Sequence, residues 1–239
     1  MSIRQTLDFQ VWMFGLIGIH VPTAGYIATA LIAYLLGSIP TGFLVAKAKG
    51  IDIRTVGSGN IGATNVFRLL GAPAGVFVLL ADAVKGWLAV AVAAPLICGW
   101  LYPDASPQAR EWFRIVAGLC AILGHNYTCW LHFKGGKGIA TSAGVLVGLV
   151  PLALLIILGI WLVVIALTRY VSLASISASF SLPFAAWLTG QSATLVLITA
   201  AMAALAIYKH RANIKRLLAG AENRIGGKKT PATGPQPTS

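Results

Sequence analysis

The chain has 239 residues, 57% of them hydrophobic and only 10% charged, with 18 Lys and Arg against 6 Asp and Glu for a net charge of +12. Soluble domains carry roughly 25% charge and about 45–50% apolar residues, so a soluble globular fold is excluded and a polytopic membrane protein is expected. The basic excess follows from the Lys and Arg bias of cytoplasmic loops or from anionic substrates, and nucleic acid is not implied.

Residues 1–23 read as an N-terminal extension, interfacial if helical. Their apolar run, Val11 to Val21, lacks the basic flank and small-residue site of a cleavable signal peptide. A spanning helix needs ~20 residues to cross ~30 Å of hydrocarbon. Candidate spans are 24–46, 74–97, 112–133, 138–151, 152–168, 171–190 and 191–208. The run from Gly138 to Leu167 carries no charge, and as one helix it would measure ~45 Å, too long for an ordinary span. Split at Pro151 it gives two short helices. That split puts 15 Lys and Arg on one face and three (Arg4, Arg110, Arg114) on the other. The positive-inside bias then predicts an all-α fold of seven transmembrane helices, N-terminus outside and C-terminus cytoplasmic. One membrane domain is expected over 24–225, with a disordered Gly/Pro/Thr tail over 226–239. Cys98, Cys120 and Cys129 lie in apolar segments without metal-ligand spacing.

This topology brings four polar clusters to the inner face. The first is GSGNIGATNVFR, Gly57 to Arg68. Gly57 and Gly59 let backbone N–H groups converge on an anion, Ser58, Asn60, Thr64 and Asn65 add polar side chains, and Arg68 can hold a phosphate with two parallel hydrogen bonds. The second is GHNYTCWLHFKGGKGIATS, Gly124 to Ser142. Its Gly135, Gly136, Lys137 and Gly138 precede a helix start, where free N–H groups and the dipole favour an anion. It is not a Walker A loop, so a nucleotide is not implied. His125 and Asn126 at the membrane boundary are either substrate-facing or packed in hydrogen bonds, and His132 reads as interfacial.

The third cluster, RYVSLASIS, places Ser172 and Ser175 on one helix face, as either site groups or small packing residues. The fourth, YKHRANIKRLLAGAEN, carries Lys209, Arg211, Lys215 and Arg216, with His210 and Asn213 on one face. It reads as a basic surface helix or as part of the site. Asp82 and Lys85, three apart inside a span, read most simply as a structural ion pair.

The acids are Asp8, Asp52, Asp82, Asp104, Glu111 and Glu222, and no His/Asp/Glu metal constellation or GxSxG elbow is present. No histidine is followed five residues later by an acid, which excludes the HxxxxD acyltransferase mechanism. What remains is several anion-binding devices and no strong base. That suits phosphorylated substrates and an electrophile already activated, such as an acyl phosphate. A transporter of organic phosphates is the rival reading, but it would place polar groups near the bilayer midplane.

The segments GSIPTGFLVAKAKGIDIRTVGSGNIGATNVFR, GHNYTCWLHFKGGKG, RYVSLASI and HRANIKRLLAGAE closely resemble the bacterial acyl-phosphate:glycerol-3-phosphate acyltransferases, from about Ala24 to Asn223. The resemblance implies seven membrane helices and a site at the cytoplasmic side of the bacterial inner membrane. It implies acyl transfer from a fatty acyl phosphate to the sn-1 hydroxyl of glycerol 3-phosphate, in the first step of phospholipid synthesis, with neither metal nor cofactor. It implies a functional link to the enzyme that makes acyl phosphate. By motif it assigns Ser58 and Arg68 to the first essential cluster, and Lys137 with Gly135, Gly136 and Gly138 to a phosphate loop. Ser175, His210 and Asn213 complete the pocket, and Glu222 is a structural acid. Two positions depart from the family: Ile61 stands where Pro is common, and Ala212 where Glu is common.

Overall fold

The computed structural model describes residues 23–226, and among them every regular element is helical. The extension and tail expected at the two ends lie outside the described residues, apart from Thr23 and Gly226. The elements are α1 (Thr23–Ser38), α2 (Thr41–Lys47), α3 (Ala63–Leu70), α4 (Ala72–Leu101), α5 (Pro107–Asn126), α6 (Ile139–Leu149), α7 (Pro151–Thr168), α8 (Val171–Leu188), α9 (Ala193–Lys209) and α10 (Arg211–Leu218). Among the described residues four stretches are long and apolar enough to cross a membrane: Thr23–Lys47, α4, α7 and α8. The bent pair α9–α10, which turns by 58°, makes a fifth if it counts as one span. α5 opens with Arg110, Glu111 and Arg114, and α6 has only 11 residues.

Three proline effects set the element boundaries. Pro40 has no N–H and ends α1 just before it, and at this break the Ile39 carbonyl accepts both the Thr41 N–H at 3.0 Å and Lys85 Nζ at 2.8 Å. Pro95 would clash with the carbonyl four residues back, and α4 absorbs this in a π-helical turn over Ala89–Ala93. Pro151 divides the apolar run into α6 and α7, with Val150 between them. The guanidinium of Arg114 donates to the Gly148 carbonyl, one of the otherwise unpaired carbonyls at the end of α6.

The helix expected over 112–133 begins earlier and stops sooner. Ser106 caps α5 by accepting the Ala109 N–H at 3.2 Å, with Pro107 in its first turn. At the other end Thr128 donates its hydroxyl to the Ser38 carbonyl at 2.6 Å, which turns the chain away from the helix axis. A 3₁₀ turn, Cys129–Leu131, follows.

Bilayer lipid is as apolar as the helix surfaces, so close van der Waals packing must hold the helices together. Glycines provide it at two crossings. A Cβ on Gly37 would strike the Ala121 carbonyl and one on Gly124 the Tyr34 carbonyl, so α1 and α5 touch backbone to backbone. Gly86 and Gly144 interlock α4 with α6 in the same way. Gly124→Ala should therefore cost about 1–3 kcal/mol, the usual cost of overpacking. Gly159→Ala in α7, where an added Cβ meets nothing within 4 Å, should be neutral or mildly stabilising. Thermal unfolding of both variants in detergent checks the contrast, and equal midpoints would contradict the interlock.

Candidate active site

The first polar cluster folds around one buried side chain. Asn65 Oδ1 accepts the Ser58 N–H at 3.1 Å, and its Nδ2 donates to the carbonyls of Asn60 at 3.0 Å and Val56 at 3.2 Å. Gly57 and Gly59 adopt left-handed φ of +63° and +67°. A Cβ on Gly57 would strike Asn65 Oδ1. These two glycines shape the loop and line neither cavity of the site. The amide of Asn65 is engaged within the loop, and the residue also borders the larger cavity. Asn60 Oδ1 accepts the Gly62 N–H at 2.8 Å where α3 begins. The loop therefore presents Ser58, Asn60 and Thr64, and α3 adds Arg68 from its last turn. Arg68 has no ion-pair partner among the described residues. Burial pushes its pKa down, yet a guanidinium stays charged at any working pH. Ile61, at the position where the family commonly has Pro, is buried with Ile53, Val66 and Val78 beneath the loop.

The GGKG segment is arranged differently from the free N–H cradle the sequence suggests. The Gly135 N–H donates to the Asn126 carbonyl at 3.2 Å and the Gly136 N–H to the His125 carbonyl at 3.0 Å. The end of α5 has carbonyls without helical partners, and the loop supplies the donors. A Cβ on Gly136 would run into the His125 imidazole, and one on Gly138 would lie 2.7 Å from Asn126 Oδ1. The glycines thus permit close approach to α5. Gly135 and Gly136 line the smaller cavity, Gly138 and the first turn of α6 the larger, and Lys137 both.

Lys137 Nζ donates to Asn213 Oδ1. Asn213 Nδ2 donates to Glu222 Oε1 at 2.9 Å, and Arg216 Nε donates to Glu222 Oε2 at 2.8 Å. His210 Nδ1 lies 2.8 Å from the Ala206 carbonyl. A carbonyl only accepts, so Nδ1 carries the proton and the neutral ring keeps a lone pair on Nε2. Ser175 Oγ accepts from Trp161 Nε1 at 3.3 Å. Asp82 and Lys85 are ion-paired at 2.8 Å, and His125 Nδ1 lies 3.7 Å from Asp82. Lys209 Nζ donates to the Asn126 carbonyl at 3.0 Å. Asn126 is fully buried and lines neither cavity.

Two cavities meet here. The larger, about 450 Å³, runs from Ser58, Arg68, Lys137 and His210 into an apolar space between α4, α6, α7, α8 and α9. The smaller, about 240 Å³, is polar and basic, with Lys209, Arg211 and Arg216 on its wall. Ser58, Asn60, Lys137 and Asn213 line both. Ala212 lies exposed on the rim of the smaller cavity, so that rim carries no carboxylate at the position where the family commonly has Glu. His132 is exposed and Lys85 borders neither cavity. Among the described residues no cluster of three His, Cys, Asp or Glu could hold a metal. Sequence reasoning missed Trp161, a lone indole in an all-apolar run without polar periodicity. It also missed that Lys209 ties α9 to α5.

A sequence model of the glycerol-3-phosphate acyltransferase family matches residues 27–220. The chain belongs to that family. It is 49% identical over 191 residues to the glycerol-3-phosphate acyltransferase of Geotalea daltonii, covering 80% of this chain and 93% of the relative. It is 48% identical to that of Geobacter sulfurreducens, covering 81% and 94%. The crystal structure of the integral membrane acyltransferase PlsY (YgiH) in its glycerol 3-phosphate form superposes with a TM-score of 0.74 at 41% identity, over 84% of this chain and 96% of that one. Its lysophosphatidic acid form gives 0.72 at 40%, over 84% and 95%. With this family and these apolar helices, the chain is a multi-pass membrane protein of the acyltransferase class.

Lys137 gives the site a pH signature. Burial foremost, with Arg216, Arg68 and Lys209 against the partial offset of Glu222, pushes its pKa down to about 8. Above that value the ammonium loses its proton and its pull on a phosphate. kcat/KM for glycerol 3-phosphate should fall as pH rises through about 8. In Lys137→Arg, slower at neutral pH because a planar fork replaces a point charge, this limb should vanish. Initial rates between pH 7 and 9.5 measure both, and an unchanged limb in the variant would assign it to another group.

Proposed function

We propose that the chain transfers a fatty acyl group from acyl phosphate to the sn-1 hydroxyl of glycerol 3-phosphate, releasing lysophosphatidic acid and phosphate. The observation that carries this reading is the wall shared by an apolar cavity and a basic one. Glycerol 3-phosphate sits in the basic cavity against Lys137, Lys209, Arg211 and Arg216. The acyl chain lies in the apolar cavity, and its phosphate faces Arg68 and Ser58 at the boundary.

Both carboxylates beside the larger cavity are engaged, Asp82 by Lys85 and Glu222 by Arg216, so neither is a free base. The hydroxyl oxygen adds to the acyl carbon and its proton passes to a substrate phosphate oxygen. The bond from the acyl carbon to the phosphate oxygen then breaks and phosphate leaves. Arg68 and Lys137 stabilise the charge on the departing group, and the Nε2 lone pair of His210 accepts from the substrate's second hydroxyl, at sn-2, and so orients the glycerol. Ser175 and the first turn of α6 bound the pocket.

The same reading makes residues 24–225 one membrane domain of seven spans, with the N-terminus outside and the site at the cytoplasmic face of the inner membrane. The charge count supports it, as does Arg114 at the Val150–Pro151 end of the bundle. In a cysteine-free background, Asp104→Cys should react with impermeant maleimide added to intact spheroplasts, while Lys49→Cys should not; the opposite pattern would invert the topology.

Purified protein with palmitoyl phosphate, labelled glycerol 3-phosphate and excess chelator should form lysophosphatidic acid. Acyl-CoA or acyl carrier protein in place of acyl phosphate should give none. Arg68→Ala and Lys137→Ala should each lose at least 100-fold in kcat/KM while eluting normally on gel filtration. Near-normal turnover in both would remove these cations from the site.

A further inference from the structure

We propose that a closed floor in the larger cavity, formed by Leu146, Leu154, Leu182 and Met202, sets the acyl chain length this protein handles best. The proposal rests on the acyl-transfer reading above. On α8 the cavity follows Ser175, Ala178, Ser179 and Leu182, the i, i+3, i+4, i+7 stripe of one helix face. At ~1.5 Å per residue that stripe descends roughly 10 Å from Ser175. On α9 it runs from His210 through Ala206 and Ala203 to Met202, roughly 12 Å. On α6 it runs from Gly138 to Leu146, again roughly 12 Å. Three helices thus give one depth.

Beyond that depth the interior is packed shut. Val150, Ala186 and Leu195, about one or two turns further along, and Ala153, the neighbour of Leu154, are buried in a single core cluster with Leu146, Leu182 and Met202. None of these four borders the cavity. Above the floor the bore is kept open by small residues, Ala178, Ala203 and Ala206, all nearly buried. On one side the wall is made by Leu79, Leu80 and Leu158, which are 47%, 58% and 45% exposed. A chain can enter there from the bilayer.

A zigzag of ~1.5 Å carbon–carbon bonds advances ~1.25 Å per carbon, so about nine or ten carbons fit between the polar rim and the floor. Each methylene up to that point is taken from lipid into a fitted bore, and each one beyond it meets packed side chains or turns back to the opening. kcat/KM should therefore rise with chain length and then break.

The test is the chain-length profile of kcat/KM with acyl phosphates from C6 to C18, read as ratios within each variant so that a general loss of activity cancels. Ala178→Phe blocks the bore three residues below Ser175 and should move the break to shorter chains by about four carbons, roughly 5 Å. Leu182→Ala lowers the floor and should move it to longer chains by two or three carbons. Gel filtration and thermal unfolding in detergent monitor the fold, and Ala203→Phe is the second block if Ala178→Phe does not fold. Breaks displaced in opposite directions support the floor. An active wild type whose break stays fixed in the variants overturns it and sends the chain out through the side opening. A wild type active only with acyl-CoA or acyl carrier protein overturns the donor instead, and the same ratios measured with that donor still decide the floor.

Discussion

Two backbone carbonyls at the end of α5 hold the site together. A helix ends with carbonyls that have no partner, and burying them unpaired is costly. Here the His125 carbonyl accepts from Gly136, and the Asn126 carbonyl accepts from both Gly135 and Lys209. One helix terminus thereby fixes the GGKG segment and the end of α9. Because α5 is itself interlocked with α1 through Gly37 and Gly124, the position of Lys137 is set by backbone contacts deep in the bundle. The absence of side chains at 135 and 136 is what lets these strands of chain approach so closely.

Charge is the second constraint. Arg68, Lys137, Lys209, Arg211 and Arg216 surround a small volume, with Glu222 as the nearest balancing carboxylate. Glu222 is bound by Arg216 and by the Asn213 amide, whose oxygen accepts from Lys137. The line Lys137–Asn213–Glu222–Arg216 spaces two cations without neutralising Lys137 directly. Under the proposed reading, a phosphate entering this site relieves the repulsion among its cations.

Much of this was legible in the sequence, for physical reasons that differ by residue. Pro151 acts locally, through a missing N–H, so the break beside it could be read without a structure, whereas the span expected over 24–46 ran through the break that Pro40 makes between Ser38 and Thr41. The grouping of four polar clusters followed from topology, since charges avoid hydrocarbon and sort to one face. The direction in which a polar side chain spends its hydrogen bonds was not legible. Asn65 organises its loop, and the N–H groups of Gly135 and Gly136 bond to α5, because backbone groups five to eleven residues away, outside any repeating pattern, claimed them first. The early end of α5 has the same origin: Thr128 finds the Ser38 carbonyl ninety residues away. Trp161 carried no local signal at all, because an indole in an apolar helix looks the same whether it faces lipid or a cavity.

The wall shared by the two cavities has a kinetic meaning. Ser58, Asn60, Lys137 and Asn213 stand where a polar, basic recess abuts an apolar one. Under the proposed reaction, neither reactant must leave its own phase to meet the other, and the product slides back into the leaflet that supplied the acyl group. Such a catalyst answers to two different concentrations. For the polar reactant it is the bulk value in solution, and for the lipid it is the number of molecules per unit area of membrane. Diluting the bilayer with inert lipid would starve it as surely as withdrawing the soluble substrate.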